Sequence, residues 1–433
     1  MAASLIIGSL LILMLTGMPV AFALAISGTL GILVSPGGFD LIGTVPQQVY
    51  KSLDSYPLMT IPLFIFAGAI MTEGGVAQKL IDAAKYSLGR GRGGLALVTV
   101  ASTVMFHGVS GSSTADTAAI GKVMLPELRK EKYPTPFSAA VLASSGATAT
   151  LVPPTTDLII IGVVTSTSIG GLFAAGLIPA LVNSAALMLL VWLISRRRNY
   201  GGIVDQEEFS FVTFAQSIVR AIPAIVMLLI IIGGIVLGIF TPTEASAVAA
   251  IYGLFVAAFV YRRLTWAKFK TAMVDSLTLT GIVMIIIATG SVLSYALTVN
   301  NVPDDLARTL TDFTSSPFVF LLIVQIMFLV IGTVMDGVPA ILILMPILSP
   351  IATEYGIEPI HFGILVAANL AIGLATPPIG LVLSTAAAVA KLPIERVIRP
   401  MLPMLACLIA MLFLLTYVED FSMFLPRLLG LDS

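Results

Sequence analysis

Charge is what this sequence has least of. Of its 433 residues only 10% are Asp, Glu, Lys or Arg, where soluble proteins carry roughly 25%, and 58% are hydrophobic. That excludes a water-soluble globule. A single cysteine, Cys407, excludes both a disulfide framework and a thiolate metal site. Two histidines, His107 and His361, are too few for a His-rich centre. A formal net charge of −1 excludes a polyanion-binding strategy, so no nucleic-acid partner is expected, and it leaves a small substrate open. The opening run lacks a basic start and a small-residue cleavage site after a short apolar core, so it reads as a true membrane segment rather than a signal peptide.

What the sequence has in abundance is long charge-free stretches, at 1–39, 158–195, 221–243, 276–303 and 362–390. A bilayer span needs about 20 apolar residues. Several of these runs exceed that, so they must tilt, break or double back. Arg90 and Arg92, the clusters at 122–132, 196–198 and 262–270, and the cluster at 391–399 mark the cytoplasmic side, because basic loops resist translocation. Two apolar segments lie between Lys132 and Arg196 and two more between Arg198 and Arg262. The stretch from Gly93 to Leu125 is flanked by basic clusters at both ends yet is too short for two crossings, which predicts a re-entrant hairpin entering from the cytoplasm. Its polar tip would be Gly108-Val-Ser-Gly-Ser-Ser-Thr-Ala-Asp116. Such a tip is tolerable at membrane depth only if buried in protein or lining a water-filled cavity.

A second stretch of similar length is interrupted by Gly332-Thr-Val-Met-Asp-Gly337 and flanked by Asp312, Glu354 and Glu358, so it should enter from the opposite face. Asp116 precedes Pro126 by ten residues and Asp336 precedes Pro346 by ten. Each hairpin is followed by an apolar segment broken by a double proline, Pro153-Pro154 and Pro377-Pro378. Paired features in opposite orientation predict an inverted-topology repeat. The expected fold is therefore an all-α polytopic membrane protein with two opposed re-entrant hairpins and two broken helices. Residues 1–200 form the first repeat, with a hairpin at 93–130 and a broken helix at 136–165. Residues 201–214 form a cytoplasmic linker, and residues 215–433 form the second repeat, with a hairpin at 316–353 and a broken helix at 360–390. Amphipathic stretches at 76–88 and 302–313 read as interfacial arms.

Proline within a helix removes a hydrogen bond and clashes with the preceding turn, so each double proline should free backbone carbonyls. The tips add Ser110, Ser112, Ser113 and Asp116 in one half, and Thr333 and Asp336 in the other. An ionised carboxylate in apolar surroundings costs roughly 3 kcal/mol or more unless partnered. Sodium is a hard cation that takes oxygen ligands, and helix N-termini favour an anion. Two sodium sites, one per half, with an organic anion between them, use every part. Asp157 either caps the second half-helix or reads a donor group on the substrate. Glu244 reads as a helix-start residue, Asn183, Asn369, Gln325 and Tyr295 as interhelical glue, and His107 as a satisfied structural histidine.

Ser110-Gly-Ser-Ser-Thr-Ala-Asp-Thr-Ala-Ala-Ile-Gly121, Leu151-Val-Pro-Pro-Thr155, Gly332-Thr-Val-Met-Asp336, Pro346-Ile-Leu-Ser-Pro350, and Ile360-His-Phe-Gly363 through Thr376-Pro-Pro-Ile-Gly380 resemble the large membrane (M) subunit of TRAP transporters. So do Thr16-Gly-Met-Pro19 and Ile61-Pro-Leu-Phe-Ile-Phe-Ala-Gly68. The likeness covers nearly the whole chain. It implies an elevator-type carrier of the ion-transporter superfamily in the bacterial inner membrane, with sodium-driven uptake of a carboxylate. It also implies two partners, a small four-helix membrane subunit and a periplasmic substrate-binding protein. Family sodium sites map onto Ser110, Ser112, Ser113 and the backbone around Val152, and onto Gly332, Thr333, Asp336 and Thr376. Substrate contacts map onto Ser113, Thr155 and Asp336. Asp116 and Asp157, the neighbouring carboxylates, complete the substrate candidates. Thr155-Thr156-Asp157 stands where a serine often follows the prolines. No cofactor beyond the coupling ion and no catalytic residue is expected.

Two other readings share these features. A stand-alone sodium/carboxylate symporter of the same superfamily would need no binding protein. A serine intramembrane protease would use Gly108-Val-Ser-Gly111, but its serine needs a base, and His361 is the distant candidate.

Overall fold

A computed structural model describes residues 2–201 and 211–431, so residues 202–210 of the expected linker 201–214 lie outside the described residues. The described residues contain twenty α-helices and no strand.

The long opening run folds as two short helices, α1 (Ala2–Leu15) and α2 (Val20–Leu33). Gly17, at φ +80°, and Pro19 separate them, since a left-handed turn favours glycine and proline cannot continue a hydrogen-bonded turn. Next come α3 (Thr44–Leu53), α4 (Thr60–Glu73) and α5 (Val76–Leu88). On α5, Val76, Leu80, Ile81, Ala83 and Ala84 are buried, a stripe of helical spacing. That stripe packs on α6 (Gly94–Ser110) and on α11 (Phe211–Val236).

The remaining helices are α7 (Ser113–Lys130), α8 (Thr135–Ala149), α9 (Thr156–Thr165), α10 (Ile169–Arg197), α12 (Pro242–Phe255), α13 (Trp266–Val299), α14 (Val302–Phe313), α15 (Pro317–Gly332), α16 (Gly337–Glu354), α17 (Pro359–Gly373), α18 (Leu381–Ala390), α19 (Ile394–Tyr417) and α20 (Asp420–Leu429). Seven helical segments among the described residues are long and apolar enough to cross a membrane.

One order of elements occurs in both halves: a two-helix hairpin, then a helix broken at a double proline. The first set is α6–α7 followed by α8–α9, and the second is α15–α16 followed by α17–α18. The breaks fall at 150–155 and 374–380, where proline can supply neither the hydrogen bond nor the room a helix interior needs. Both Pro153–Pro154 and Pro377–Pro378 peptide bonds are cis.

The central helices are α8 and α17. Every residue of α8 from 137 to 149 and of α17 from 360 to 373 is buried, which their apolar and small residues allow on all sides. The half-helices beyond the breaks cross over. First-half α9 packs on second-hairpin α16, and second-half α18 packs on first-hairpin α7. Arg129 of α7 ties this crossing by donating from Nη2 to the Ala390 carbonyl at 2.8 Å, a cation at a helix C-terminus. The hairpins and broken helices are thereby one packed body.

A second body surrounds α13, which runs 34 residues, about 50 Å. Helices α2, α3 and α4 pack on it, and α12 packs on α4. Gly28 lets α2 approach closely, since a Cβ there would lie 2.7 Å from the Leu293 backbone nitrogen. The N-terminus of α12 carries a complete capping box, in which the Glu244 amide donates to Thr241 and Glu244 accepts from the Thr241 amide at 2.8 Å.

Reading Asn183, Asn369 and Gln325 as interhelical glue needs correction. Asn369 Nδ2 bonds back to Leu365 of its own helix at 2.8 Å, the local bond a short amide reaches most easily. Its Oδ1, Asn183 Oδ1 and both amide atoms of Gln325 have no hydrogen-bond partner among the described residues.

Candidate functional site

The first hairpin turns over two residues, 111 and 112. Gly111 sits at φ +69° and passes so close to the first broken helix that a Cβ would lie 3.0 Å from the Pro154 carbonyl oxygen. Only glycine combines that conformation with that proximity. Ser110 Oγ donates to Asp116 Oδ1, and Asp116 Oδ2 pairs with His107 Nδ1 at 2.6 Å. Asp116 and His107 are both fully buried, so these donors replace the water a carboxylate would otherwise hold. The Ser112 amide donates to Ser110 Oγ at 3.3 Å, and the hydroxyls of Ser113 and Thr150 share a hydrogen bond of 2.6 Å. Thr150 opens the break that contains Val152, so Ser113 joins the tip to that break.

The second hairpin turns over four residues, 333–336. Thr333 Oγ1 donates to the Val330 carbonyl at 2.7 Å, and the Thr333 carbonyl accepts from the Gly380 amide at 3.0 Å. A Cβ on Gly373 would lie 2.6 Å from Gly332 Cα, so the tip rests backbone to backbone on the second broken helix. Thr376 Oγ1 donates to the Ile372 carbonyl at 2.7 Å, and the Thr376 carbonyl oxygen lies beside Gly380. Gly332, Thr333 and Thr376 are thus gathered around one break. Asp336 is the N-cap of α16, its Oδ1 accepting from the Gly337 amide at 2.9 Å.

Asp157 stands in the first turn of α9 but makes no cap bond there. Its carboxylate lies against Gly337 instead, where a Cβ would come within 2.6 Å of Oδ2. It therefore meets the N-terminus of α16 and the field of Asp336 across the crossing of the two halves. Thr155 is the N-cap residue of α9, is 2% exposed, and its hydroxyl has no partner among the described residues.

Between the two bodies lies a cavity of about 320 Å³. Ser110, Ser112, Thr155 and Asp336 are on its wall. Ser113, Asp116, Val152, Asp157, Gly332, Thr333 and Thr376 are set behind that wall, within the tips and breaks. The opposite wall comes from α4 and α13, and Gly68 of α4 comes close enough to the first tip that a Cβ would lie 2.8 Å from Ser110 Cα. Glu73 and Asp275 line this wall, and the sequence reading overlooked both. Asp275 carried a signal, an acid within a long apolar helix. Glu73 carried none, because only the fold brings the end of α4 to the tips. Among the described residues the lining contains three carboxylates, Glu73, Asp275 and Asp336, and no Lys, Arg or His.

The serine-protease reading fails on this geometry. Ser110 donates to the Asp116 carboxylate rather than to a histidine, so among the described residues the tip lacks the serine–histidine pair that reading calls for. The distant candidate His361 pairs with Ser422 at 2.7 Å.

Two broken hairpins and two broken helices converging on a polar cavity, within an all-helical membrane body, define a multi-pass transporter subunit. The family model of the tripartite ATP-independent periplasmic transporter, DctM component, matches residues 7–421, and the chain belongs to that family. It is 38% identical over 95% of its length, and 95% of the other's, to the C4-dicarboxylate TRAP transporter large permease protein DctM of Pseudomonas aeruginosa. It is 36% identical to the isethionate TRAP transporter permease protein DctMQ of Oleidesulfovibrio alaskensis, over 96% of this chain and 65% of that longer one. Among solved structures it resembles the YdaH transporter of Alcanivorax borkumensis, with a TM-score of 0.64 at 15% identity, covering 90% of each chain, which bears on fold. The chain is thus an inner-membrane subunit of a tripartite secondary transporter for organic acids, and it is not an enzyme.

Proposed function

We propose that this subunit carries an organic anion inward together with sodium, receiving it from a periplasmic binding protein, and that it moves as an elevator. The observation that carries this reading is the charge of the cavity. An anion placed about 4 Å from the Asp336 carboxylate meets a repulsion of about 4 kcal/mol at an effective dielectric near 20, roughly a thousandfold in affinity. No basic side chain among the described residues of the wall offsets it. Cations bound with the anion would, and the oxygen donors for them stand at both tips.

Ser110, Ser112, Ser113 and the backbone around Val152 would hold one sodium ion, and Gly332, Thr333, Asp336 and Thr376 the other. Asp116 has a different task from the one its position suggests. By accepting the hydrogen bond of the Ser110 hydroxyl it leaves for a cation the Ser110 lone pair that the Ser112 amide does not use. Thr155, at the start of α9, offers its hydroxyl and a helix N-terminus to the anionic head.

Cross-packing of α9 on α16 and of α18 on α7 supports rigid movement of both hairpins against the α4–α13 wall. The cavity extends to Glu73, whose carbonyl accepts from Lys268 Nζ at 3.0 Å. That is the basic end of the molecule, which by the positive-inside rule places the opening toward the cytoplasm and fits an inward-facing state. The 65% coverage of the longer DctMQ relative leaves room there for a second component, and here a separate small four-helix subunit would supply it.

Uptake by proteoliposomes holding this chain and its small subunit, with the binding protein outside, tests the proposal. Accumulation should require an inward sodium gradient and the binding protein. Uptake by this chain alone would favour a stand-alone symporter.

A further inference from the structure

The geometry points to Lys268 as the residue that receives the organic anion at the cytoplasmic mouth of the cavity once the sodium ions leave. This rests on the carrier reading and deepens it, adding a charged group at the release end of the same path.

Lys268 stands in the first turn of α13. Ala272, Asp275, Ser276, Leu279 and Val283 of that helix line the cavity, and steps of three and four residues keep to one helix face. Lys268 precedes Ala272 by four, so it continues the lining face one turn outward, about 6 Å along the axis. Its side chain is half-buried and donates from Nζ to the Glu73 carbonyl at 3.0 Å. Glu73 is both the last residue of α4 and part of the cavity wall. The bond caps α4 with a cation, but it uses one of three ammonium donors and ends on a neutral oxygen. Among the described residues no carboxylate lies within ion-pair distance of Lys268. Its charge is therefore uncommitted at the level where a departing anion must pass Glu73 and Asp275. With sodium gone, the wall carboxylates repel the anion, and a carboxylate that reaches Lys268 gains a charge-assisted bond stronger than the one to the carbonyl. Lys270, two residues on, is exposed and does not share that face.

The test reads the charge that an organic anion meets at the mouth. Thr72→Cys puts a thiol at an exposed position on the cavity wall, and Cys407→Ser removes the native one. In inverted membrane vesicles holding the full chain and its small subunit, without sodium, the thiol is reacted with anionic sulfonatoethyl methanethiosulfonate and with its cationic trimethylammonioethyl counterpart. Lys268→Gln, whose amide can still donate to the Glu73 carbonyl, should lower the anionic-to-cationic rate ratio about tenfold. Lys268→Arg, which keeps the charge, and Lys270→Gln, which removes an exposed and screened one, should each change it by less than about twofold. An unmoved ratio in Lys268→Gln, or an equal fall in Lys270→Gln or Lys268→Arg, would overturn the inference and leave the carrier reading standing. A thiol that reacts no faster in inverted vesicles than in right-side-out ones would overturn the cytoplasmic opening, and the inference with it.

Discussion

The two hairpin tips place an aspartate at the same distance from a proline and use it in opposite ways. Asp116 is sealed inside the first tip, three residues into α7, with His107 and Ser110 on its two oxygens. Asp336 stands before α16, accepts from the Gly337 amide, and opens on the cavity. The difference comes from where each helix can begin. Pro339 is the third residue of α16, and a proline that lacks an amide proton sits most easily in a first turn. That holds the helix start next to Asp336. The residue matching Pro339 is Ala119, which imposes no such limit, so α7 starts earlier and carries Asp116 inside. One tip is a preformed, internally bonded cradle. The other is held by a single backbone bond from Gly380 to Thr333 and a glycine-on-glycine contact.

This contrast can be broken at several points. The largest effect belongs to Asp336→Asn, which should reduce sodium-driven uptake by about a hundredfold, as loss of a charged ligand worth about 3 kcal/mol would, while co-purification with the small subunit stays normal. Asp116→Ala should act first on stability. It strands His107 and Ser110 and costs about 1–3 kcal/mol, seen as a lowered unfolding temperature together with a sodium half-saturation raised about tenfold. Asp116→Asn should recover much of the stability and less of the sodium affinity. Gly373→Ala pushes a methyl group onto Gly332 and should cost about 1–3 kcal/mol, with sodium affinity weakened by loosening the second tip alone. The smallest effect is expected of Glu127→Gln, which removes a partly exposed ion pair with Lys85 at 3.1 Å. Its cost should be about 1 kcal/mol or less, with uptake unchanged.

Much of the fold was legible in sequence because the physics that shapes it is local. A double proline must break a helix, so the interruptions around Pro153-Pro154 and Pro377-Pro378 could be placed before any packing was known. Periodicity marked α5, whose apolar residues repeat at helical spacing. The site was legible only in part. The hydroxyls of the tips announced themselves as a polar run in apolar surroundings. Glu73 and Asp275 reach the cavity only because Gly68 admits the tip to the backbone of α4 and α13 closes the other side, and such long-range approach leaves no mark at either residue. The unlike roles of Asp116 and Asp336 were hidden by their shared ten-residue spacing. Pro339 was the clue.

The most direct measurement is substrate uptake by the complete three-component system in proteoliposomes, comparing the natural chain with Asp336→Asn across inward sodium gradients. The natural chain should accumulate substrate in proportion to the gradient and the variant should not, at equal insertion and assembly. Equal sodium-driven accumulation by the two would contradict the assignment of the second tip as a coupling site.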